Sequence, residues 1–213
     1  LVRNGSRGMV WLEPLVEVEL DGARHGFGPL TLADVPGLFD DGLAHPKAIG
    51  VVEDHPWMKG QTRLTFARVG VIDPMSLDDY RAHGGLNGLT NALGMDKTGI
   101  VKEVTDSGLR GRGGAGFPTG IKWKTVSDAQ ADRKFIVCNA DEGDSATFAD
   151  RMLMEGDPFC LIEGMVIAGL ATGATRGYVY IRSEYPVAIE IMGRAVRIAR
   201  EAGLLGLSVM GSA

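Results

Sequence analysis

The sequence has few cysteines, no long hydrophobic run and no excess of basic residues, and each of these absences excludes a class of protein. Cys138 and Cys160 are its only cysteines, too few for a disulfide scaffold or for the four thiolates that usually hold an iron–sulfur cluster. No apolar run approaches the ~20 residues that span a bilayer, and the N-terminus lacks the pattern of a signal peptide. Lys and Arg number 22 against 27 Asp and Glu, for a net charge of -5, which excludes a generally basic nucleic-acid binder. We therefore expect a cytoplasmic protein that neither inserts into a membrane nor binds nucleic acid.

Glycine, in contrast, is abundant and clustered. The chain contains 31 glycines among 213 residues, about twice the usual share, and six of them fall within residues 108–120. Without Cβ atoms, such a loop can point successive backbone N–H groups at one anion. Arg110, Arg112 and Lys122 add positive charge beside it. The pattern favours a phosphate- or nucleotide-binding loop, and a flexible surface loop is the alternative.

The spacing Gly111-x-Gly113-x-x-Gly116 matches the dinucleotide-binding fingerprint. That fingerprint is meaningful only between a strand and a helix. Here the preceding residues have a helical pattern, and Phe117-Pro118 follows where the helix should continue. We therefore predict that this loop is not a standard Rossmann turn.

The second half of the chain has the alternating pattern of an α/β protein. Its periodicity predicts strands and helices in turn: a strand at 134–138, an apolar helix at 158–171, a strand at 177–182 and a helix at about 186–202. Because strands and helices alternate, we predict layers of helices and strands in an α/β domain over residues 76–213.

Two further helices are predicted at the start of that domain. Ser76 with Asp79 resembles a capping box that opens a helix through about residue 93. Thr98 is a candidate N-cap for a second helix that ends near residue 106.

The first third of the chain has a different pattern. Residues 15–20 alternate apolar and acidic side chains, which is typical of a half-buried strand, and Asp21-Gly22 follows as a hairpin signal. Thr31 with Asp34 resembles a capping box that opens a short helix toward residue 39. We predict a small α+β unit over residues 1–42, followed over 43–75 by a linker at 43–60 and a strand at 63–69.

The predicted strand at 134–138 leads into a polar, acidic loop, residues 139–144. Ligands of α/β proteins bind at the carboxyl ends of strands, and the side chains of this loop can accept hydrogen bonds from ribose hydroxyls or ring N–H groups. The same oxygens suit Ca²⁺ or Mg²⁺, and a solvated acidic turn is a third interpretation. From the residues alone, the three interpretations stay open.

Taken together, the two loops resemble a known family. Residues 107–123 and 139–151, with Glu163-Gly164-Met165 and Arg182-x-Glu184-Tyr185, closely resemble the NADH-oxidising flavoprotein subunit of respiratory complex I. The resemblance covers about residues 95–213 and implies an FMN-binding α/β domain. It also implies that hydride passes between NAD⁺/NADH and a non-covalently bound FMN, which exchanges single electrons with iron–sulfur clusters. That family continues with a loop that completes the flavin site and a domain for a [4Fe–4S] cluster, so we expect this chain to be a segment of a longer protein.

The resemblance implies a set of site residues. Those that match the family's cofactor-binding positions are Gly111, Arg112, Gly113, Gly114, Ala115, Gly116, Phe117, Lys122, Asn139, Asp141 and Glu142. Phe117 matches an aromatic residue that stacks on the NADH adenine, and Lys122 matches a lysine near the phosphates. Asp144 stands where complex I has a glutamate beside the NADH, and it is a candidate catalytic residue together with Glu142. No metal ligand is predicted in this chain.

The first unit carries a second resemblance. Ser6-x-Gly8-x-Val10-x-x-x-Pro14, followed by residues 15–39, resembles the C-terminal part of the thioredoxin-like [2Fe–2S] domain of the small complex I partner. That family has cysteines at the positions of Ser6 and Val10. Because neither side chain can ligate iron as a thiolate does, we expect no cluster in residues 1–42.

The fusion of such a unit to a flavin domain is typical of diaphorase-type subunits. Residues 63–74 and 78–85 most resemble the beta subunits of soluble, molybdenum-containing, NAD-dependent formate dehydrogenases, and the diaphorase subunits of NAD-reducing hydrogenases are close rivals. This resemblance implies formate oxidation to CO2 coupled to NAD⁺ reduction, with a molybdenum-containing alpha subunit and a small [2Fe–2S] subunit as partners. The non-enzyme alternative is a docking module within such a complex.

Overall fold

The computed structural model describes residues 1–39, 44–144 and 146–212. The chain divides into two units, one of residues 6–67 and one of residues 1–5 together with residue 68 onward. Among the described residues, no helix is both long and apolar enough to cross a membrane.

The smaller unit is built on an antiparallel sheet. Strand β1 (Val16–Leu20) pairs with β2 (Ala23–Phe27), and β2 pairs with β3 (Ala48–Val51). Asp21 and Gly22 join β1 to β2 with φ of +52° and +77°, as a tight hairpin turn requires, so the predicted hairpin is confirmed. The predicted capping box is also present, because the Asp34 carboxylate accepts a hydrogen bond from the Thr31 amide at 2.7 Å. The short helix predicted to follow it consists of two 3₁₀ turns.

Two predictions for the segment after this hairpin are wrong. The described residues of the predicted linker, 44–60, contain β3 and a short helix, α1 (Pro56–Lys59), which belong to the folded unit. The predicted strand at 63–69 consists of bends and turns. This segment pairs with no strand of the unit's sheet, which, where described, consists of β1, β2 and β3. Without a sheet to cover it, Leu64 is 83% exposed.

The larger unit confirms the α/β prediction. Two strands form a parallel pair in which Phe135 lies opposite Arg176 and Ala140 opposite Ile181. The elements follow one another as α2 (Leu77–Ala82), α3 (Asn87–Leu93), α4 (Lys97–Asp106), α5 (Thr119–Asp128), β4 (Phe135–Ala140), α6 (Ala149–Gly156), α7 (Pro158–Thr172), β5 (Arg176–Ile181) and α8 (Pro186–Glu201). Helix α7 is central, since it packs against α3, α4, α5, α6, α8 and both strands. Pro186 opens α8 and Gly203 follows it with φ +73°, so the helix predicted at about 186–202 is confirmed.

The helices before the glycine-rich loop differ from the prediction. The single helix expected from Ser76 to residue 93 is two helices, α2 and α3, separated by Gly84 at φ +81° and Leu86 at φ +66°. Ser76 does cap α2, because its Oγ accepts from the Asp79 amide at 3.1 Å. Thr98 is not a cap: the Asp96 carboxylate accepts from the Gly99 amide at 2.7 Å and caps α4 instead, since a carboxylate in that position satisfies a free amide of the first turn.

A buried carboxylate explains why α3 begins where it does. Glu163 of α7 is 9% exposed, and its carboxylate accepts hydrogen bonds from the amides of Leu86 at 2.9 Å and Leu89 at 2.8 Å. The Tyr80 hydroxyl of α2 donates to the same carboxylate. The Leu86 residue before α3 provides no side-chain cap, so α7 supplies the acceptor that the first turn of α3 needs.

The β4–β5 sheet is covered on one face in the described structure. On the inner face, Cys138, Val179 and Ile181 pack, partly buried, against the core of the larger unit. On the outer face, Phe135, Val137, Tyr178 and Tyr180 are exposed. Parallel sheets are usually covered on both faces. In the described residues, the outer face of this sheet instead exposes one aliphatic and three aromatic side chains.

Candidate functional site

The glycine-rich loop joins α4 to α5, so it lies between two helices. This confirms that it is not a strand–turn–helix Rossmann turn. Its base is closed by backbone pairing: the Gly111 amide donates to the Phe117 carbonyl and the Thr119 amide to the Leu109 carbonyl, each at 2.9 Å. Arg110 Nε also donates to the Gly116 carbonyl at 2.6 Å. The loop is therefore pinned at its base, and residues 112–116 form its tip.

The tip of the loop presents bare backbone. A Cβ atom built on Gly113 or Gly114 would meet no atom within 4 Å. Gly114 has φ +95° and Gly116 has φ +59°, conformations that glycine adopts at little cost. Arg112 and Ala115 of the tip are exposed. This arrangement leaves space in which a phosphate could approach the backbone closely.

Phe117 and Lys122 lie together at the base of the loop. Lys122 Nζ is 5.8 Å from the centroid of the Phe117 ring, which is 46% exposed. The same Nζ lies 3.3 Å from the point that a Cβ atom on Gly111 would occupy. The ring attracts the ammonium group electrostatically, so a cation is held beside the loop and an aromatic face stays accessible.

The start of α5 lies against α4 without room for a side chain. A Cβ atom on Gly120 would come within 2.2 Å of Thr105 Oγ1 and 2.7 Å of Thr105 Cα. We expect Gly120→Ala to lower the free energy of unfolding by about 2 kcal/mol, because overpacking forces the backbone to shift. Urea denaturation measures this change. The control is Gly193→Ala in α8, because the nearest atom to a Cβ atom there, Arg197 Nη1, lies at 3.9 Å. This control substitution should be neutral or stabilising. Equal stabilities of the two variants would contradict the close α4–α5 contact.

The acidic loop begins at the carboxyl end of β4, which extends two residues beyond its predicted end. Asn139 and Ala140 are the last residues of the strand, and Asn139 Oδ1 accepts from the Asp141 amide at 3.1 Å. Glu142 has φ +48°, and its carbonyl accepts from Arg182 Nη1 at 2.8 Å. Arg182 follows β5 directly, so the carboxyl ends of both strands contribute to this edge, as expected for a ligand site in a parallel sheet.

The Glu142 carboxylate is occupied by donors of the protein. Oε1 accepts from the Asp150 amide at 2.9 Å, and Oε2 accepts from the Arg151 amide at 3.3 Å and from the Tyr185 hydroxyl at 3.0 Å. Asp150 and Arg151 lie in the first turn of α6, which follows Phe148 at φ +52° with no side-chain cap. Glu142 thus caps α6 from outside the helix. Burial and the Glu142 charge raise the pKa of Asp150.

Two groups of predicted site residues are brought together, each within its own loop. Residues 111–117 and Lys122 form the first, and Asn139, Asp141 and Glu142 form the second. Asp144 is exposed, and its carbonyl accepts from the Thr147 hydroxyl at 3.0 Å. Within the part of the chain that the structure describes, no hydrogen bond or ion pair joins the two loops. In the same residues, no three His, Cys, Asp or Glu side chains gather where they could hold a metal ion.

Two residues at this edge, Arg182 and Tyr185, are not among the site residues predicted from the sequence, although both contact Glu142. Both belong to the segment Arg182-x-Glu184-Tyr185, which carried part of the family resemblance but received no role. The signal that could have found them is their position just after β5, at the same edge as the acidic loop.

Both loops lie in a part of the chain that is similar to known flavoprotein domains. Residues 104–212 match the family model described as the Nuo51 FMN-binding domain. The HndC subunit of the NADP-reducing hydrogenase of Solidesulfovibrio fructosivorans is 54% identical over 154 residues, which are 72% of this chain and 31% of that protein. An NADH-quinone oxidoreductase subunit of Rhizobium meliloti (strain 1021) is 50% identical over 145 residues, 68% of this chain and 34% of that protein. The chain therefore spans about a third of the length of these relatives.

A solved structure has the same fold. It is an NAD⁺-reducing [NiFe]-hydrogenase in the air-oxidised state, to which this chain is similar with a TM-score of 0.51 and 28% sequence identity. The match covers 83% of this chain and 30% of that one.

Proposed function

Because this chain belongs to the family of Nuo51 FMN-binding domains, we propose that it is part of a flavoprotein subunit that passes electrons between NAD⁺/NADH and iron–sulfur clusters through FMN. The observation that carries this proposal is the open tip of the glycine-rich loop, where Gly113 and Gly114 leave space for a phosphate. Lys122 beside the loop supplies the compensating charge. Both features fit a cofactor that is held by its phosphate.

Each loop has its own task in this proposal. The N–H groups of residues 111–116 bind phosphate, and Lys122 neutralises its charge. Phe117 offers its exposed ring to the adenine of NADH. Asn139, Asp141 and Asp144 orient the flavin and the nicotinamide through hydrogen bonds. Bound FMN supplies the hydride and single-electron chemistry, while the protein supplies position and electrostatics.

The native assembly in this proposal is a cytoplasmic NAD-dependent formate dehydrogenase. The sequence of residues 63–74 and 78–85 supports it, with a molybdenum-containing alpha subunit and a small [2Fe–2S] subunit as partners. A [4Fe–4S] cluster is then held elsewhere in the flavoprotein. The second candidate is the diaphorase subunit of a hydrogenase, which is favoured by the similarity to HndC and to the hydrogenase structure.

The cofactor inventory of the native assembly distinguishes the two candidates. Acid-released flavin is identified from its visible spectrum, and iron, molybdenum and nickel are measured by metal analysis. FMN with iron and molybdenum, followed by formate-dependent NAD⁺ reduction, is the expected result. FMN with nickel would instead identify the hydrogenase, and an assembly without flavin would contradict the proposed function.

Lys122 provides a test of the phosphate site itself. We expect Lys122→Ala to weaken FMN or NADH binding about tenfold, because a charge-assisted contact to phosphate is lost. Fluorescence titration with FMN and NADH measures the affinities. The control is Lys124→Ala on the same helix, since Lys124 is paired with Asp128 at 2.7 Å; unchanged affinities in Lys122→Ala would remove this lysine from the site.

A further inference from the structure

Glu142 has a backbone conformation that requires support. At φ +48° it is in the left-handed region, which a non-glycine residue keeps only where the surrounding structure holds it. The support comes from Arg182, whose Nη1 donates to the Glu142 carbonyl at 2.8 Å. This bond ties the acidic loop after β4 to the segment after β5.

The Glu142 side chain is held from two more directions. Its two oxygens accept from the first turn of α6 and from the Tyr185 hydroxyl at 3.0 Å. Three of the roughly four acceptor sites of the carboxylate are therefore taken by donors of the protein itself. The side chain is thus engaged in holding the protein together at this edge.

Tyr185 is itself fixed in place. Its side chain is buried, and its ring centroid lies 5.7 Å from Arg151 Cζ and 5.4 Å from Arg182 Cζ. Both guanidinium groups are paired with carboxylates, Arg151 with Glu155 at 2.9 Å and Arg182 with Glu184 at 3.3 Å. Burial and the neighbouring Glu142 raise the pKa of Tyr185, so its hydroxyl remains a donor in neutral solution.

We propose that Tyr185 and Arg182 are positioning residues of the flavin site; this inference rests on the proposed function. The two residues hold Glu142 in place. They thereby set where Asn139, Asp141 and Asp144 meet the ligand. Glu142, Arg182 and Tyr185 form what we call the Glu142 clamp. In this arrangement Glu142 acts through the structure of the loop and not on the reacting atoms.

The clamp is tested in the flavoprotein within its native assembly. Tyr185→Phe removes one donor from the Glu142 carboxylate, and Arg182→Gln removes the strong donor to its carbonyl. We expect each to weaken FMN binding about tenfold, which corresponds to the loss of one charge-assisted or supporting hydrogen bond. The urea midpoint should fall only slightly, as for the loss of a single hydrogen bond, and Arg182→Lys, which keeps a cationic donor, should restore most of the affinity. Tyr180→Phe and Arg176→Gln, both exposed on β5, are the matched controls and should bind FMN as the parent does.

A second readout needs no flavin. Hydrogen exchange of the Asp150 and Arg151 amides should become severalfold faster in Tyr185→Phe, because the carboxylate that they bond loses an anchor. Faster exchange with unchanged FMN affinity would overturn the positioning role and leave the proposed function intact. A large fall in the urea midpoint together with an affinity that Arg182→Lys does not restore would also overturn it, in favour of a merely structural role. A parent assembly without FMN would overturn the proposed function and this inference with it.

Discussion

Replacing Gly113 by valine is expected to abolish FMN retention while the protein remains folded. The point that a Cβ atom would occupy on Gly113 has no neighbour within 4 Å, so the protein itself has room for the side chain. A branched side chain would fill the space in which the proposed phosphate meets backbone N–H groups. The flavin content of the purified native assembly measures the effect, and circular dichroism checks the fold.

Gly193→Val in α8 is the matched control for this substitution. Gly193 is also exposed, and its nearest neighbour lies at 3.9 Å, but it is far from the glycine-rich loop in the sequence. We expect normal flavin content in this variant. A folded Gly113→Val protein that retains its flavin would show that the cofactor phosphate does not lie at the loop tip.

Replacing Glu163 by alanine is expected to cost about 3 kcal/mol of stability. The change leaves the Leu86 and Leu89 amides and the Tyr80 hydroxyl without their acceptor, and each unsatisfied buried donor costs about 1–3 kcal/mol before relaxation. Urea denaturation measures the loss as a lower midpoint, and an unchanged slope would show that the unfolded state is comparable.

Two other variants separate this effect from a general loss of charge or packing. Tyr80→Phe removes one of the three donors and should cost about 1 kcal/mol. Glu190→Ala removes a 70% exposed glutamate side chain from α8 and should change stability by no more than about 0.5 kcal/mol. If Glu163→Ala were as mild as Glu190→Ala, the buried hydrogen bonds would not be the origin of the stability.

The long elements of the larger unit could be predicted because their signals are local. Helix α8 begins at Pro186 and ends before Gly203, both of which act on the residues beside them. The strands β4 and β5 lie within one or two residues of the predicted ranges. The glycine-rich loop could be identified for the same reason, since its conformational freedom depends on its own composition.

Most of the misses originate in contacts that no standard sequence signal describes, and two of these contacts join residues far apart in the sequence. The break between α2 and α3 falls at Gly84-Gly85, a local signal, but the start of α3 is stabilised by Glu163, which is 77 residues beyond Leu86 in the sequence. Helix α6 has no local cap, and its first turn is satisfied by Glu142. The position of Tyr185 beside Glu142 likewise depends on the pairing of β4 with β5. No pattern within a short window of sequence contains the Glu163–Leu86 and Tyr185–Glu142 contacts.

The cap that α7 provides for α3 also bears on the order in which the molecule folds. A helix of seven residues is too short to persist by itself in water, and its acceptor arrives only when Glu163 has come into place. Leu86 and Glu163 lie 77 residues apart. Closing the loop between them carries an entropic cost before any contact is gained. Helix α3 should therefore form late, and its amides should become protected from exchange together with the docking of α7.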